Sequence, residues 1–210
     1  MVMKQFGRKK RNGWLDRHLK DEFVQKSVKD GYRSRASYKL IEIQNKDKIF
    51  RNGSRVVDLG AAPGSWSQVA SEYIGDTGII TALDLLPIKE LPGVHTIQGD
   101  FTEQDVVDKL INALDGKKVD VIISDIAPNL TGIKIADQAA SIELSELVLE
   151  FARNHLVKKG KLLIKVFHGT GFAEFRKLLE HYFTKVQTRK PAASRDSSRE
   201  TYILASGYKY

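Results

Sequence analysis

The run Val56-Val57-Asp58-Leu59-Gly60-Ala61-Ala62-Pro63-Gly64 constrains this chain more than any other stretch. Two β-branched residues and a leucine bracket an aspartate, and a glycine-containing turn follows at once. That pattern is a buried strand that stops abruptly and lets a ligand approach the backbone closely. Twenty residues beyond Gly64, the apolar run Ile79-Ile80-Thr81-Ala82-Leu83 ends in Asp84. An acid at that distance, closing a second strand, suits the ribose hydroxyls of a nucleotide-like ligand.

The glycine spacing narrows the ligand. A dinucleotide fingerprint needs a glycine where Ala62 stands, so that the backbone can touch a pyrophosphate. No phosphate loop ending in Lys-Ser or Lys-Thr is present either. The turn therefore suits a nucleoside without phosphates, and S-adenosylmethionine is the expected cofactor. The alternative is a tight strand-to-helix turn with no ligand, which the placement of Asp84 argues against.

From residue 55 onward strands and helices alternate. The pattern predicts strands near 55–59, 79–84, 94–98, 119–124 and 161–167, with helices near 65–74, 103–114 and 137–156 between them. Such alternation implies a parallel sheet with helices on both faces. A helix near 171–182 and strands near 184–189 and 200–207 complete the chain. The loop Lys190–Arg199 is too short for a helical crossover, so those last strands should run antiparallel. Upstream, residues 1–13 read as a basic tail and Trp14–Val28 as a helix. Ser34 reads as the N-cap of a further helix through about Asn45. The expected division is a basic extension over 1–33 and one α/β domain over 34–210.

Charge points to the partner. Residues 1–35 hold eleven Lys/Arg against four acids, and 176–210 hold eight against three, on a net charge of +8. The middle of the chain is acidic. Basic ends on an acidic centre suit a polyanion, and nucleic acid is favoured over a merely solvated surface. The absence of cysteine removes disulfides and thiolate metal sites, and no metal site is expected. No apolar run reaches membrane-spanning length, and the basic start lacks the apolar stretch of a secretory signal, so a cytoplasmic protein is expected.

Ligands in open α/β sheets bind outside the carboxyl ends of the parallel strands. Asp58, Asp84, Asp100, Asp125 and, given an antiparallel last strand, Glu200 all fall on that rim. Lys165 joins them in Leu162-Leu163-Ile164-Lys165-Val166-Phe167. A central parallel strand is normally apolar on both faces, so a lysine there is costly unless paired. It reads either as a structural partner of Asp125 or as a base tuned by its neighbours, and the rim favours a hydroxyl as acceptor. Lys39, on residues alone, reads as an exposed helical lysine.

Taken together, several segments resemble the FtsJ/RrmJ (RlmE) family of ribosomal RNA ribose 2′-O-methyltransferases. They are Ser34-Arg35-Ala36, Val57 to Gly64, Trp66-Ser67-Gln68, Asp84-Leu85-Leu86-Pro87, Gln98-Gly99-Asp100-Phe101, Ser124 to Asn129, Lys165-Val166-Phe167 and Arg189 through Glu200. The resemblance implies a Rossmann-like S-adenosylmethionine-dependent methyltransferase fold, with seven strands and an antiparallel last strand. It implies a catalytic set at Lys39, Asp125, Lys165 and Glu200, and cofactor contacts at Gly60, Gly64, Trp66, Asp84, Asp100 and Asp125. The family's second glycine is Ser65 here, which is small enough to cap the helix that follows.

The activity so implied is methyl transfer to a ribose 2′-hydroxyl of 23S rRNA in the large ribosomal subunit, a uridine of the A-loop. Arg33, Arg35, Arg195 and Arg199 are the expected phosphate contacts, and the enzyme is expected to act without an obligate protein partner, as a monomer. Rival readings are a ribose methyltransferase of transfer RNA, an assembly factor with a vestigial site, and an NAD-dependent oxidoreductase, the last disfavoured by Ala62.

Overall fold

The computed structural model describes residues 21–195 and 198–210. The predicted basic tail and the first part of the Trp14–Val28 helix lie outside the described residues. The remainder of that helix is α1, Glu22–Lys29, whose first turn is capped by Asp21 accepting from the Phe23 amide at 3.1 Å. Helix α2 spans Ala36–Asp47. Its N-cap residue is Arg35, while Ser34 accepts the Ala36 amide at 3.2 Å, so the expected cap acts one position early.

The alternating core follows as β1 (Arg55–Leu59), α3 (Ser65–Ile74), β2 (Ile79–Asp84), β3 (Val94–Gln98), α4 (Gln104–Ala113), β4 (Val119–Ser124), α5 (Lys134–His155) and β5 (Leu156–Phe167). Then come α6 (Phe172–Tyr182), β6 (Phe183–Arg189) and β7 (Glu200–Tyr208). β5 starts five residues earlier than its sequence pattern suggests, because the polar Lys158-Lys159 pair is carried in the bulge opposite Val119–Val121.

The seven strands form one sheet in the order β3-β2-β1-β4-β5-β7-β6. β7 is antiparallel to both β5 and β6, and the other pairings are parallel. The fold is thus the expected Rossmann-like one. Alternation along each strand divides the apolar residues between two layers. Val57, Leu59, Ile122, Leu162, Ile164 and Ile203 pack with α4, α5 and α6. Val56, Ile123, Leu163, Tyr202 and Leu204 pack with α2 and α3. Burial of these near-continuous apolar strands is the main force holding the sheet together.

Candidate active site

Strand parity assembles the site. Ile123, Leu163 and Leu204 face α2 and α3, so residues two positions along face the same way: Asp125, Lys165, Tyr202 and, two further, Glu200. The pairing of Lys165 with Tyr202 and of Phe167 with Glu200 brings β5 and β7 into step at the rim. Helix α2 then lays Lys39 over them from the same face.

These groups form one continuous chain. Lys39 Nζ donates to Glu200 Oε2 at 2.9 Å and to the Tyr202 hydroxyl at 3.1 Å. That hydroxyl donates to Asp125 Oδ1 at 2.8 Å. Lys165 Nζ lies 3.1 Å from the same carboxylate oxygen and donates to the Asp125 carbonyl at 2.6 Å. Both lysines are buried, each 8% exposed. Two cations alternating with two acids satisfy the rule that buried charge is paired and hydrogen-bonded. Burial, with Asp125 and Glu200 nearby, raises the Tyr202 phenol well above its ordinary value, so it stays a hydrogen-bond donor.

Lys39 is buried because α2 is clamped to the β6–β7 loop. Arg189 grips Asp47 through two bonds of 2.7 and 2.5 Å, and this holds the Asp47 carboxyl below its usual range. Glu42 accepts the Ala192 amide at 2.8 Å, and Arg35 donates to the Ala193 carbonyl. Lys190 closes the loop itself by donating to the Ser198 and Glu200 carbonyls at 2.6 and 2.5 Å. Helical periodicity in α2 gives no hint of these clamps.

Asp125 also lines a cavity of about 830 Å³ together with Gly60, Ala62, Asp84, Asp100 and Phe101. Asp84 shapes its mouth: Oδ2 accepts the Ala62 amide at 2.9 Å and Oδ1 the Leu86 amide at 2.8 Å. A carboxylate offers about four acceptor positions, so Asp84 retains capacity for a ligand. Asp100 is fixed by the amide and hydroxyl of Thr102 at 2.9 and 2.8 Å. Gly60 has φ +74°, and a Cβ there would sit 2.7 Å from the Ile126 backbone, so a side chain would wedge the β1 and β4 ends apart.

Beneath this floor Asp58 is fully buried. Ser67 Oγ donates to its Oδ2 at 2.6 Å, while Oδ1 has no hydrogen-bond partner among the described residues. Burial, against the opposing Ser67 bond and reinforced by Asp125 and Asp84, pushes its carboxyl from 3.8 up to about 7. The acids that line the cavity itself, Asp84, Asp100, Asp125 and Glu143, favour a ligand that carries positive charge.

The remaining expected residues are placed differently. Gly64 and Trp66 lie outside the lining of this cavity. Gly64 is the positive-φ residue before α3, and Trp66 is buried, donating to the Ala36 carbonyl at 2.9 Å and packing against the Tyr202 ring. Trp66 thus supports the site through Tyr202. Ser65 makes no capping bond; its hydroxyl meets that of Ser34 at 2.8 Å and joins α3 to the start of α2.

Among the arginines, Arg33 spends donors on the Pro63, Lys89 and Glu90 carbonyls at 2.8, 2.6 and 2.7 Å, bracing the turn and the following loop. Arg35 is half-buried against Asp21 and Phe23. Arg195 and Arg199 are exposed near the rim. Sequence reasoning missed Tyr202, whose spacing of two from Glu200 was the available signal.

Residues 32–208 match the family of FtsJ-like methyltransferases. The chain is 54% identical over 204 residues to ribosomal RNA large subunit methyltransferase E of Alkalilimnicola ehrlichii, covering 96% of this chain and 98% of that one. A solved Plasmodium falciparum structure assigned as a ribosomal RNA methyltransferase superposes with a TM-score of 0.76 at 32% identity, covering 84% of this chain and 98% of that one. Fibrillarin of Aeropyrum pernix, solved with bound S-adenosyl-L-methionine, shares the fold at a TM-score of 0.57 and 17% identity, covering 83% of this chain and 75% of that one. With its family match running from α2 through β7 and an identity of this extent, the chain belongs to the FtsJ-like methyltransferases.

Proposed function

We propose that this chain transfers the methyl group of S-adenosylmethionine to a ribose 2′-hydroxyl of large-subunit ribosomal RNA, a uridine of the A-loop. The observation that carries the reading is the Glu200–Lys39–Tyr202–Asp125–Lys165 chain opening onto the acid-walled cavity at Asp125. The large-subunit relatives supply the RNA class, and the charge pattern agrees with it.

Gly60, Asp84, Asp100 and Asp125 would hold the cofactor, whose fit is supported by these three carboxylates lining the cavity and the side-chain-free Gly60. When bound, S-adenosylmethionine supplies an electrophilic methyl on a positively charged sulfur. Lys165 orients the acceptor hydroxyl and, as the neutral amine, takes its proton to become the ammonium that Asp125 holds. Asp125 fixes Lys165 from two oxygens, and Lys39 with Glu200 holds Asp125 through Tyr202. Much of the acceleration comes from holding hydroxyl and methyl donor in line. Arg195 and Arg199, with the basic extension over residues 1–33, hold RNA phosphates, while Arg35 contributes by fixing the loop at Ala193 and Arg33 by bracing the turn. The enzyme acts as a monomer in the cytoplasm.

The test is mass-spectrometric mapping of methyl groups after incubating the protein and S-adenosylmethionine with unmethylated large subunits and, separately, with transfer RNA. A 2′-O-methyluridine on the large subunit is expected. Methylation of transfer RNA alone, or of a base atom, refutes the reading.

A further inference from the structure

A second, smaller cavity of about 260 Å³ opens beside the site, lined by Leu130, Gln138, Phe167, Ser198, Arg199 and Glu200, with Lys134 and Asp137 at its edge. We propose that it receives the base of the nucleotide whose ribose is methylated, turned out of its stack. This inference rests on the RNA-directed reading above and adds the element that grips the acceptor.

Position is the first argument. The 125–130 segment runs between the two cavities: Asp125 to Asn129 line the larger, and Leu130 lines the smaller. Glu200, a member of the buried lysine–acid chain, forms one wall of the smaller cavity. Phe167 pairs with Glu200 and stands two residues beyond Lys165, about 7 Å along a strand. A ribose hydroxyl at Lys165 would thus leave its own base within reach of this cavity.

Chemistry is the second. Bases are gripped by stacking on apolar or aromatic surfaces and by hydrogen bonds to their edges. Leu130 and Phe167 supply the apolar surface, and Leu130 is held there although 65% exposed. The hold comes from Asp137, whose carboxylate accepts the Thr131 amide and hydroxyl at 2.7 and 2.8 Å and the Gly132 amide at 3.2 Å. Gln138 supplies an edge group. It is 4% exposed, and its Nε2 donates to the Phe167 carbonyl at 2.5 Å. Its Oε1 lies against Gly169, where a Cβ would come within 2.7 Å, and makes no hydrogen bond among the described residues. A rigid amide with an unused acceptor suits an N–H on a base edge. Lys134 and Arg199 add positive charge at the mouth, where the adjoining phosphates would lie.

The experiment uses unmethylated large subunits whose RNA carries 4-thiouridine, irradiated with near-ultraviolet light in the presence of the full-length protein. Cross-linked peptides are mapped by mass spectrometry. Cross-links to the 130–138 segment or to Phe167 are expected. In parallel, Leu130→Ala and Gln138→Met are expected to lower kcat/KM for the subunits about tenfold or more, with S-adenosylmethionine affinity by calorimetry unchanged within about twofold. Leu130, being exposed on a loop, gives a variant that folds even if Gln138→Met does not. Cross-links confined to other segments, or a wild-type kcat/KM in both variants, overturn the proposal. Wild-type protein that leaves the subunits unmethylated counts against the enzymatic reading instead, and the cross-link map still decides the cavity.

Discussion

Asp58→Asn should gain stability relative to the unsubstituted protein as pH rises from about 4 to about 7, the gain levelling off above that. The Asp58 carboxyl moves from 3.8 to about 7 on folding because it is buried with one oxygen unpartnered among the described residues. Below about pH 4 both folded and unfolded chains hold the proton, and the group has no pH-dependent effect. Between about pH 4 and pH 7 the unfolded chain ionises while the folded one keeps its proton, so the folded state binds more protons and loses stability as pH rises. Each unit is worth about 1.4 kcal/mol, and the full penalty above about pH 7 comes to about 4 kcal/mol. An asparagine keeps an acceptor for Ser67 but does not titrate. Its unbonded amide sets a constant offset; the slope is independent of that offset. Urea unfolding of the two proteins without cofactor should therefore show a stability difference that widens by about 3 kcal/mol from pH 5 to pH 8. The same variant should bind S-adenosylmethionine more weakly at pH 8, since a negative charge beneath the cavity is gone. Parallel stability curves for the two proteins would refute the assignment of an ionisable, strained carboxyl at this position.

Lys165→Arg keeps the positive charge beside Asp125 but removes a group able to accept a proton, so single-turnover methyl transfer should fall about a hundredfold or more with cofactor affinity retained; wild-type turnover would show that charge alone suffices. Tyr202→Phe deletes the hydroxyl joining Lys39 to Asp125 and should lower kcat about tenfold to a hundredfold at unchanged KM for RNA, a split that a folding defect would not produce. Arg195→Ala and Arg199→Ala should each lower the slope of log affinity against log salt by about one in an RNA titration, and an unchanged slope would remove that arginine from the phosphate contacts.

The sheet was legible because each strand carries its own period and each helix lies between two of them. The rim acids Asp84 and Asp125 were legible for the same reason, since they end apolar runs whose termini define the carboxyl edge; Asp58, expected beside them, instead lies one residue inside β1 and is fully buried. Lys165 could be singled out because a lysine inside a buried strand demands a partner. Lys39 gave no such signal. Its burial depends on contacts 150 or so residues away in sequence, Glu42 with Ala192 and Asp47 with Arg189, and helical periodicity registers only local neighbours. Only the resemblance marked it.

Tyr202 lies between these cases. Parity alone puts it on the face of Leu204 and Glu200, but an aromatic residue in a terminal strand reads as core, and Tyr202 is core: its ring packs on Trp66 while its hydroxyl joins the two halves of the site. A phenol does both tasks because its apolar body and polar tip are separable. Trp66 is the same kind of residue one layer back, buried by its ring and tied by its Nε1 to the first turn of α2, the helix that delivers Lys39. The site is thus rigid for the reason the core is rigid. Lys39 and Asp125 are held at hydrogen-bond distance from one phenol whose ring cannot move without disturbing the packing between the sheet and α3.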